Sequence, residues 1–214
     1  MSELLINEMF LSIQGESSWA GYPCAFIRTT GCPLRCRWCD TTYAYEQGQT
    51  IAIEQLVSQV LTWGVNLVEV TGGEPLAQES APELLSALCD QGLTVLLETG
   101  GSLDIAAVDS RVHIILDIKC PSSGMSQRML WANLELLKPR DEVKFVLADR
   151  QDYEYARHLV KKHKLDSRCQ VLFSTVFGQI ESSQVVAWIL EDRLPVRFQL
   201  QMHKYIWPPE TKGV

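Results

Sequence analysis

Short apolar runs alternate along the chain with segments in which apolar residues recur at helical spacing. The runs have the length and composition of buried β-strands, and apolar residues at i, i+3, i+4 and i+7 lie on one face of a helix. The pattern predicts strands over residues 25–30, 67–71, 94–99, 112–118, 142–147, 170–175 and 196–202. It predicts helices over residues 53–61, 84–88, 130–137 and 185–190.

This alternation of strand and helix predicts an α/β fold with a mainly parallel sheet. No sequence repeat, low-complexity segment or Pro/Gly/Ser-rich linker divides the chain, so we expect residues 1–214 to form a single domain. The strands are too few for a complete eight-stranded barrel, and they suit a partial (β/α) barrel of about six parallel strands. Ligands of such folds gather at the C-terminal ends of the strands, where we therefore expect the active site.

Composition and charge narrow the function classes. The formal net charge of -7, without a long basic run, makes the chain a poor candidate for binding a nucleic-acid backbone. Lys161, Lys162 and Lys164 are close together, and we interpret them as a solvated helix face. The N-terminus lacks the features of a signal peptide and no stretch approaches the length of a membrane span, so we expect a cytoplasmic protein.

Three of the 7 cysteines lie on one short loop, where Cys32, Cys36 and Cys39 have the spacing C-x3-C-x2-C. An odd and crowded set favours metal or redox chemistry over a disulfide framework. Three thiolates can hold three irons of a cubane cluster and leave the fourth iron open to a small molecule. Structural zinc is the alternative, although zinc usually takes four protein ligands and none of the 4 histidines is near the loop.

Glycine-rich and charged motifs follow the predicted strands. The Gly-Gly-Glu-Pro motif 72–75 comes after one strand, the Glu-Thr-Gly-Gly motif 98–101 ends the next, and the Asp-Ile-Lys motif 117–119 ends the one after. Alone, the first is a plain turn, and the last is a surface ion pair at a sheet edge. All three fall where the architecture predicts ligand contacts, and paired glycines allow a backbone to approach a ligand closely.

The cysteine spacing, with the aromatic Trp38 directly before Cys39, resembles the radical S-adenosylmethionine (radical SAM) superfamily. The resemblance implies a four-iron, four-sulfur (4Fe-4S) cluster on Cys32, Cys36 and Cys39, with S-adenosylmethionine bound to the open iron. Reduction there cleaves the sulfonium and yields a 5′-deoxyadenosyl radical. The motif 72–75 resembles the superfamily element that binds the methionine amino group. The residues implied in cofactor binding are Trp38, Cys39, Asp40, Gly72, Gly73, Glu74, Gly101, Asp117, Ile118 and Lys119.

A further ordered set of motifs resembles the 7-carboxy-7-deazaguanine synthase family. The motifs are INEMF at 6–10, IQGE at 13–16, FIR at 26–28, CDT at 39–41 and QLQMHKY at 199–205. The resemblance implies a lyase that converts 6-carboxy-5,6,7,8-tetrahydropterin to 7-carboxy-7-deazaguanine on the route to queuosine and related deazapurines. It implies hydrogen abstraction, radical ring contraction and loss of ammonia, with magnesium assisting and S-adenosylmethionine regenerated. It also implies a homodimer and an electron donor such as flavodoxin.

The resemblance assigns residues to the substrate and to magnesium. The guanidinium of Arg28 suits bidentate capture of the substrate carboxylate, and its plain interpretation is a surface arginine at a strand end. Thr41 takes the position of the family's magnesium ligand, whereas the residues alone favour Asp40 and make Thr41 a helix cap. Polar and apolar residues alternate over 196–202, so the polar side faces either solvent or the cavity. The implied substrate contacts are Ile13, Gln14, Gly15, Glu16, Arg28, Thr99, His203 and Pro209.

Two features depart from the family pattern. Many members have Ser-Pro-Lys where this chain has the Asp-Ile-Lys motif 117–119, so the lysine is kept while the backbone geometry is not. In short members the chain terminus reaches the substrate, whereas here residues 210–214 follow Pro209 and argue against that contact. Two rival hypotheses stay open at this point: a glycyl-radical activase of the same superfamily, and a non-enzymatic iron–sulfur or zinc protein.

Overall fold

The computed structural model describes residues 2–214, and one sheet runs through them. Its strands are β1 (Glu3–Ile13), β2 (Pro23–Thr29), β3 (Gln49–Ala52), β4 (Leu67–Gly72), β5 (Thr94–Thr99), β6 (His113–Asp117), β7 (Glu142–Leu147), β8 (Gln170–Thr175) and β9 (Arg197–Phe198). The helices are α1 (Ile53–Thr62), α2 (Ala81–Asp90), α3 (Asn133–Leu136), α4 (Arg150–His163), α5 (Ser182–Asp192) and α6 (His203–Ile206).

The strand order is β3-β1-β2-β4-β5-β6-β7-β8-β9. Every neighbouring pair from β2 to β9 is parallel, whereas β1 is antiparallel to both β2 and β3. Six long parallel strands and the two-residue β9 confirm the predicted α/β class with a partial barrel. The antiparallel β1 and β3 have no counterpart in the prediction. In β1 the apolar residues follow no regular alternation and only Leu4 and Ile6 are buried, and β3 is only four residues long.

One face of the sheet packs against the helices and forms the main core. Leu56 of α1, Leu85 of α2, Tyr153 of α4 and Val185 of α5 are all fully buried there. Each removes an apolar side chain from water, which stabilises the fold by about 1.5–3 kcal/mol per residue. Within residues 2–214, no helix is long and apolar enough to cross a lipid bilayer.

The other face of the sheet changes character along each strand. Near the amino ends of the strands it is apolar, with a small buried cluster that includes Phe26, Leu96 and Ile115. Two residues further along β5 and β6 the same face carries Glu98 and Asp117. Because strand side chains alternate between faces, this spacing of two puts both carboxylates above the apolar cluster. A charged layer therefore lies at the C-terminal end of the parallel strands.

Two predicted elements are shorter than expected. The strand expected over 196–202 is only Arg197–Phe198, and the helix expected over 130–137 is only Asn133–Leu136. After β9 the chain leaves the sheet: the amide of Gln199 still donates to Phe173 O (2.9 Å), but that of Met202 donates to Gly15 O (2.8 Å). The polar residues of this segment thus reach the cavity from a loop and not from a strand face.

Helix α4 has no counterpart among the predicted helices, because its buried stripe is narrow and the rest of its surface is polar. Lys161 and Lys162 are exposed in its last turn, as the prediction of a solvated lysine face requires. Lys164 is instead the C-cap, with a left-handed φ of 51°. Cations at this end are favourable, because the helix dipole is negative there.

Candidate active site

A cavity of about 250 Å³ opens at the C-terminal ends of the parallel strands. It is lined by the cysteine loop, by the ends of β1, β2 and β4 to β7, and by residues 201–214 in part. Most of the predicted site residues line this one cavity: Ile13, Gln14, Gly15, Glu16, Arg28, Cys32, Cys36, Trp38, Cys39, Asp40, Thr41, Gly72, Gly73, Thr99, Asp117, Lys119, His203 and Pro209.

The cysteine loop is fixed by backbone hydrogen bonds to its surroundings. Gly31, with a left-handed φ of 92°, turns the chain out of β2, and its amide donates to Ala44 O (2.8 Å). The amide of Arg37 donates to Ser123 O (3.0 Å), and that of Cys39 donates to Cys36 O (3.2 Å). The three thiols are therefore presented to the cavity by a loop of defined conformation, each of them half-buried.

The thiols suit a cluster better than a single metal ion. Burial raises the pKa of Cys36 to about 11 and also raises the pKa of Cys32, while the ammonium of Lys119 opposes both shifts. Among residues 2–214, no three Cys, His, Asp or Glu side chains converge as the ligands of one metal ion would. The thiolates of a cubane bind three different irons, so they do not need to meet at one point.

The two glycines of the motif 72–75 allow backbone to pack on backbone. A Cβ on Gly72 would meet the backbone of Thr29, and a Cβ on Gly73 would meet the carbonyl of Gly31. The amide of Glu74 donates to the same carbonyl (2.7 Å). The close approach that needs glycine here is thus to the cysteine loop of the chain itself. The motif sets the position of that loop over β4.

Glu74 lies beneath the cavity and not in its lining. It is fully buried, and its carboxylate accepts hydrogen bonds from Thr99 Oγ1 (2.8 Å), Gly100 N (2.7 Å) and Leu76 N (3.1 Å). The carboxylate therefore ties the glycine motif to the end of β5. Its predicted contact with the cofactor stays a prediction.

The end of β6 presents an acceptor to the cavity. Lys119 Nζ lies 2.9 Å from Asp117 Oδ2 in a largely buried ion pair. The other oxygen, Asp117 Oδ1, is buried and has no hydrogen-bond partner within residues 2–214. A buried acceptor without a donor is costly, and a ligand hydroxyl would satisfy it. Ile118 is buried in the core, and the amide of Gly101 donates to Thr99 Oγ1. Neither Ile118 nor Gly101 lines the cavity, so their predicted contacts with the cofactor stay predictions.

Trp38 is held in one orientation beside the cysteines. Its indole Nε1 donates to Ser122 Oγ (3.1 Å), and Lys119 Nζ lies 5.9 Å from the ring centroid. Asp117, Lys119 and Trp38 thus form one wall of the cavity. That wall combines an aromatic face with a free acceptor, which fits the adenine and ribose of a nucleoside ligand.

Arg28 lines a second wall of the cavity, close to the end of β2. Its Nε donates to Glu8 Oε1 (2.8 Å), and Tyr43 Oη donates to the same oxygen (2.9 Å). The guanidinium carbon lies 5.6 Å from the ring centroid of Phe10 and 5.9 Å from that of Tyr43. Because Glu8 occupies Nε, the pair of terminal nitrogens is the edge left to grip a carboxylate.

The predicted Gln-Gly-Glu turn forms the floor beside Arg28. Gln14 Nε2 donates to Glu69, and Gln14 Oε1 accepts from the amide of Glu16 (2.9 Å). A Cβ on Gly15 would overlap the ring of His203, so glycine allows that imidazole to pack directly on the turn. Burial lowers the pKa of His203 although the Glu16 carboxylate opposes this shift. His203 therefore faces the cavity as a neutral imidazole.

Asp40 and Thr41 connect the cysteine loop to the C-terminal segment. Asp40 Oδ2 accepts from Lys204 Nζ (2.6 Å), and Asp40 Oδ1 accepts from Thr41 Oγ1 (3.0 Å). Burial would raise the pKa of Asp40, but the Lys204 ammonium outweighs it and lowers the pKa to about 2. The Thr41 hydroxyl donates its proton to Asp40 and keeps an acceptor lone pair, so both residues line the cavity with oxygens of the kind that magnesium binds.

The C-terminal segment covers part of the cavity. Pro209 and residues 210–214 belong to its lining. Lys212 Nζ lies 4.2 Å from the ring centroid of Tyr43, on the Arg28 side. The chain beyond Pro209 therefore folds back over the wall that holds the guanidinium.

Sequence reasoning missed several charged residues of the floor. Glu69 and Lys144 line the cavity, yet each lies inside an apolar strand and neither was predicted to be functional. Glu98, which also lines the cavity, was predicted only as the first residue of the motif 98–101. A charge in an otherwise apolar parallel strand was the available signal, since both faces of such strands are normally buried. Phe10 and Tyr43, which flank Arg28, gave no such signal.

A three-cysteine loop over the C-terminal ends of a partial parallel barrel defines a radical SAM protein, and the sequence model of the Radical SAM superfamily matches residues 26–126. The 7-carboxy-7-deazaguanine synthase of Chlorobaculum tepidum is 52% identical over 99% of this chain and 97% of its own length. That of Koribacter versatilis is 42% identical over 98% and 99%. The chain belongs to the 7-carboxy-7-deazaguanine synthase family.

Solved structures show the same fold. QueE from Escherichia coli has a TM-score of 0.79 at 22% identity, with 94% of this chain and 95% of that chain covered. SuiB from Streptococcus suis, crystallised bound to S-adenosylmethionine, has a TM-score of 0.56 at 14% identity, covering 79% of this chain and 44% of its own. Membership of the superfamily decides for a 4Fe-4S cluster with S-adenosylmethionine, and against zinc or a non-enzymatic role.

Proposed function

We propose that this chain converts 6-carboxy-5,6,7,8-tetrahydropterin to 7-carboxy-7-deazaguanine, a radical ring contraction with loss of ammonia that feeds queuosine or a related deazapurine. The observation that carries the proposal is the cavity itself. It joins the cysteine loop to Arg28 and to the Gln-Gly-Glu turn 14–16. Family membership assigns the same reaction, and it leaves no role for the protein partner that a glycyl-radical activase would need.

The residues present fit the cofactors that the family uses. Cys32, Cys36 and Cys39 would hold the cluster, and the wall of Trp38, Asp117 and Lys119 would hold S-adenosylmethionine. When bound, this pair supplies a carbon-centred radical that removes a hydrogen atom from the substrate. Thr41 would offer an oxygen to magnesium, which keeps the rest of its shell for water and substrate.

The substrate carboxylate is the group that Arg28 recognises. The Arg28 guanidinium is 16% exposed and oriented by Glu8, so it binds a carboxylate with little loss of side-chain entropy. Charge-assisted bidentate hydrogen bonds of this kind are about twice as strong as neutral ones. Arg28 therefore fixes the carboxylate end of the pterin against the wall formed by Phe10 and Tyr43.

The other end of the pterin meets the floor of the cavity. Gln14 and Glu16 offer an amide and a carboxylate, and the neutral His203 offers either a donor or an acceptor. A flat heterocycle with several donors and acceptors needs such a mixed set. Held at both ends, the pterin has one defined orientation toward the cysteine loop, and this orientation decides which hydrogen is removed.

One experiment tests this reaction directly. The protein is loaded with iron and sulfide without oxygen and given S-adenosylmethionine, a reductant, magnesium and 6-carboxy-tetrahydropterin, and the product is followed by mass. We expect 7-carboxy-7-deazaguanine from the wild type and none from Cys36→Ala, the matched control that lacks one cluster thiol. Cluster-loaded wild type that makes no deazaguanine would overturn the proposal.

We further propose a cytoplasmic homodimer that receives electrons from a carrier such as flavodoxin. The reduced state of the cysteines that the cluster requires supports a reducing compartment. Exposed apolar residues near one another, Phe177, Tyr205 and Ile206, support self-association. The exposed Arg35 and Arg37 on the cysteine loop support the docking of an acidic carrier. Analytical ultracentrifugation checks the dimer, and a single monomeric species would contradict it.

A further inference from the structure

Lys144 lies at the centre of the charged floor of the cavity. Its side chain comes from the middle of β7, a strand whose residues are all buried, and is 5% exposed. Nζ lies 3.0 Å from Glu16 Oε2 and 3.5 Å from Asp117 Oδ2, and it forms an ion pair with Glu98. One ammonium therefore contacts three carboxylates that come from three separate parts of the chain.

The three carboxylates have different supports. Asp117 forms a second ion pair with Lys119 (2.9 Å). Glu98, near the end of β5, accepts a hydrogen bond from Thr71 Oγ1 of β4 (3.2 Å). Both lie on strands of the sheet. Glu16 instead lies on the loop between β1 and β2, so the sheet ladder does not fix its position.

Few contacts hold the Glu16 side chain in place. Gln201 Nε2 donates to Glu16 Oε1 (2.9 Å), and Gln199 Nε2 lies 3.5 Å from Glu16 Oε2. Among residues 2–214, Lys144 is the only cation that forms an ion pair with Glu16. The two glutamines come from the irregular segment after β9. Lys144 is thus the single contact within residues 2–214 that joins the Glu16 carboxylate to a buried strand of the sheet.

The electrostatics agree with this geometry. Burial opposes the charge of Lys144, yet the carboxylates of Glu16 and Glu98 raise its pKa well above the usual range. Burial likewise opposes the charge of Glu16, and the Lys144 ammonium lowers the pKa of that carboxyl. Both groups are therefore charged at neutral pH. An ion pair this deeply buried is costly to break, because each remaining charge loses its compensation.

We propose that Lys144 is a positioning residue for the substrate: it holds the Glu16 carboxylate toward the pterin and links it to Asp117 on the cofactor wall. This inference rests on the proposed function, and it assigns no chemical step to Lys144. Loss of the ammonium releases Glu16 and leaves the cysteine loop in place. The expected signature is weaker binding of the pterin, while S-adenosylmethionine binding and cluster content change little.

The test must distinguish this positioning role from a second explanation, in which Lys144 only balances the negative charge of the cavity floor. The wild type has two ammoniums, Lys144 and Lys119, beside three carboxylates. The variant Lys144→Met leaves one ammonium beside three carboxylates. The double variant Lys144→Met/Glu98→Gln has one ammonium beside two carboxylates, so it restores the net charge of the floor without restoring the contact to Glu16. Glu98→Gln alone is the matched control.

The measurements are anaerobic titrations of 6-carboxy-tetrahydropterin and of S-adenosylmethionine into the cluster-loaded variants, with thermal unfolding of each. We expect the pterin Kd to rise about tenfold or more in Lys144→Met, because Glu16 loses the charge-assisted contact that holds it toward the pterin. We expect the double variant to regain thermal stability and to keep the raised Kd. A double variant with both the thermal stability and the pterin Kd of the wild type would show that Lys144 only balances charge, and would overturn the proposal.

A second readout does not depend on the substrate. Hydrogen exchange over residues 14–18 should be faster in the double variant than in Glu98→Gln, because the turn has lost its link to β7. Unchanged exchange there would overturn the proposal even if Lys144→Met itself fails to fold. Wild type that binds no pterin would instead contradict the proposed function, and this outcome is distinct from a variant that binds as the wild type does.

Discussion

Single side chains in the cavity owe their orientation or their charge state to burial and to one or two neighbours. Arg28 is the clearest case, because Glu8 sets its orientation and two aromatic rings flank it. At this residue the interpretation as an ordinary surface arginine is wrong, since the guanidinium lines the cavity and is largely buried. Its role in substrate binding stays a prediction that mutation can test.

We expect Arg28→Ala to raise the pterin KM by about a hundredfold and Arg28→Lys by about tenfold, because lysine keeps the charge but loses the bidentate geometry. Steady-state kinetics give the KM, and the iron–sulfur absorbance gives the cluster content. The control is Arg111→Ala, whose side chain is half-exposed and pairs with Asp90 and Asp109 away from the cavity. Loss of the cluster in Arg28→Ala would make Arg28 structural.

Glu69 shows the opposite charge state on the same floor. Burial, reinforced by the nearby Glu98 carboxylate, raises the pKa of Glu69 well above its usual range. The group therefore binds a proton in the folded protein at a pH where the unfolded chain has released it. Stability then falls as the pH rises from the unfolded pKa toward the raised folded pKa.

We predict that Glu69→Gln stabilises the protein at neutral and alkaline pH and has little effect near pH 4, below the unfolded value of about 4.5. The glutamine carbonyl can still accept from Gln14 Nε2, so the hydrogen bond is kept. Thermal unfolding of wild type and variant over this pH range measures the difference. A stability difference that does not change with pH would show that Glu69 is ionised in the folded state.

At the scale of elements, the motif 72–75 couples β4 to the cysteine loop. Its glycines are needed because the loop carbonyl of Gly31 and the backbone of Thr29 lie against them. The motif thus positions the cluster by packing, in addition to any contact with the cofactor. The sequence alone does not show this role, because paired glycines indicate that the backbone approaches another group closely but do not identify that group as the cysteine loop.

We expect Gly73→Ala to displace the cysteine loop and to lower the yield of reconstituted cluster several-fold, because its Cβ would overlap the Gly31 carbonyl. Iron and sulfide content and the cluster absorbance measure this yield. Gly64→Ala is the control: it has a left-handed φ of 66° with open space around its Cβ, so it should cost about 1 kcal/mol of stability and keep the cluster. Equal cluster content in both variants would contradict the packing role.

Over the whole molecule, charge is distributed unevenly. The net charge is -7, yet the exposed face of the cysteine loop carries Arg35 and Arg37. Arg35 also donates to backbone carbonyls of the loop, whereas the backbone amide of Arg37 donates to Ser123 and its side chain is exposed. Complementary charge of this kind speeds the association of an acidic partner more than it strengthens binding.

We predict that Arg37→Glu lowers turnover driven by a flavodoxin about tenfold and leaves turnover driven by dithionite unchanged. The comparison of the two reductants separates docking from damage to the cluster. Lys161→Glu, an equal charge change on the exposed end of α4, is the control and should behave as the wild type does. An equal loss with both reductants would argue against docking at this loop.

Most of the parallel sheet was predictable, because buried strands and helices are marked by local apolar patterns. Strands β4 to β8 begin and end within a residue or so of the predicted ranges. Strands β1 and β3 were not, since β1 lacks a regular apolar alternation and β3 is only four residues long. The single domain expected over residues 1–214 stays a prediction, although one sheet spans the described chain.

Apolar periodicity and cysteine spacing are contained in short segments, so the amino-acid sequence alone was enough to predict the α/β class and the cluster chemistry. Which charges meet in the cavity depends instead on how distant segments of the chain fold together. Lys144 contacts Glu16 across 128 positions of the chain, and Lys204 contacts Asp40 across 164. The alignment of strands and the path of loops set such pairs, and no local pattern encodes either. The spacing of the three thiols can be read in the sequence, whereas the charged floor that would orient a substrate beneath them forms only when the chain folds.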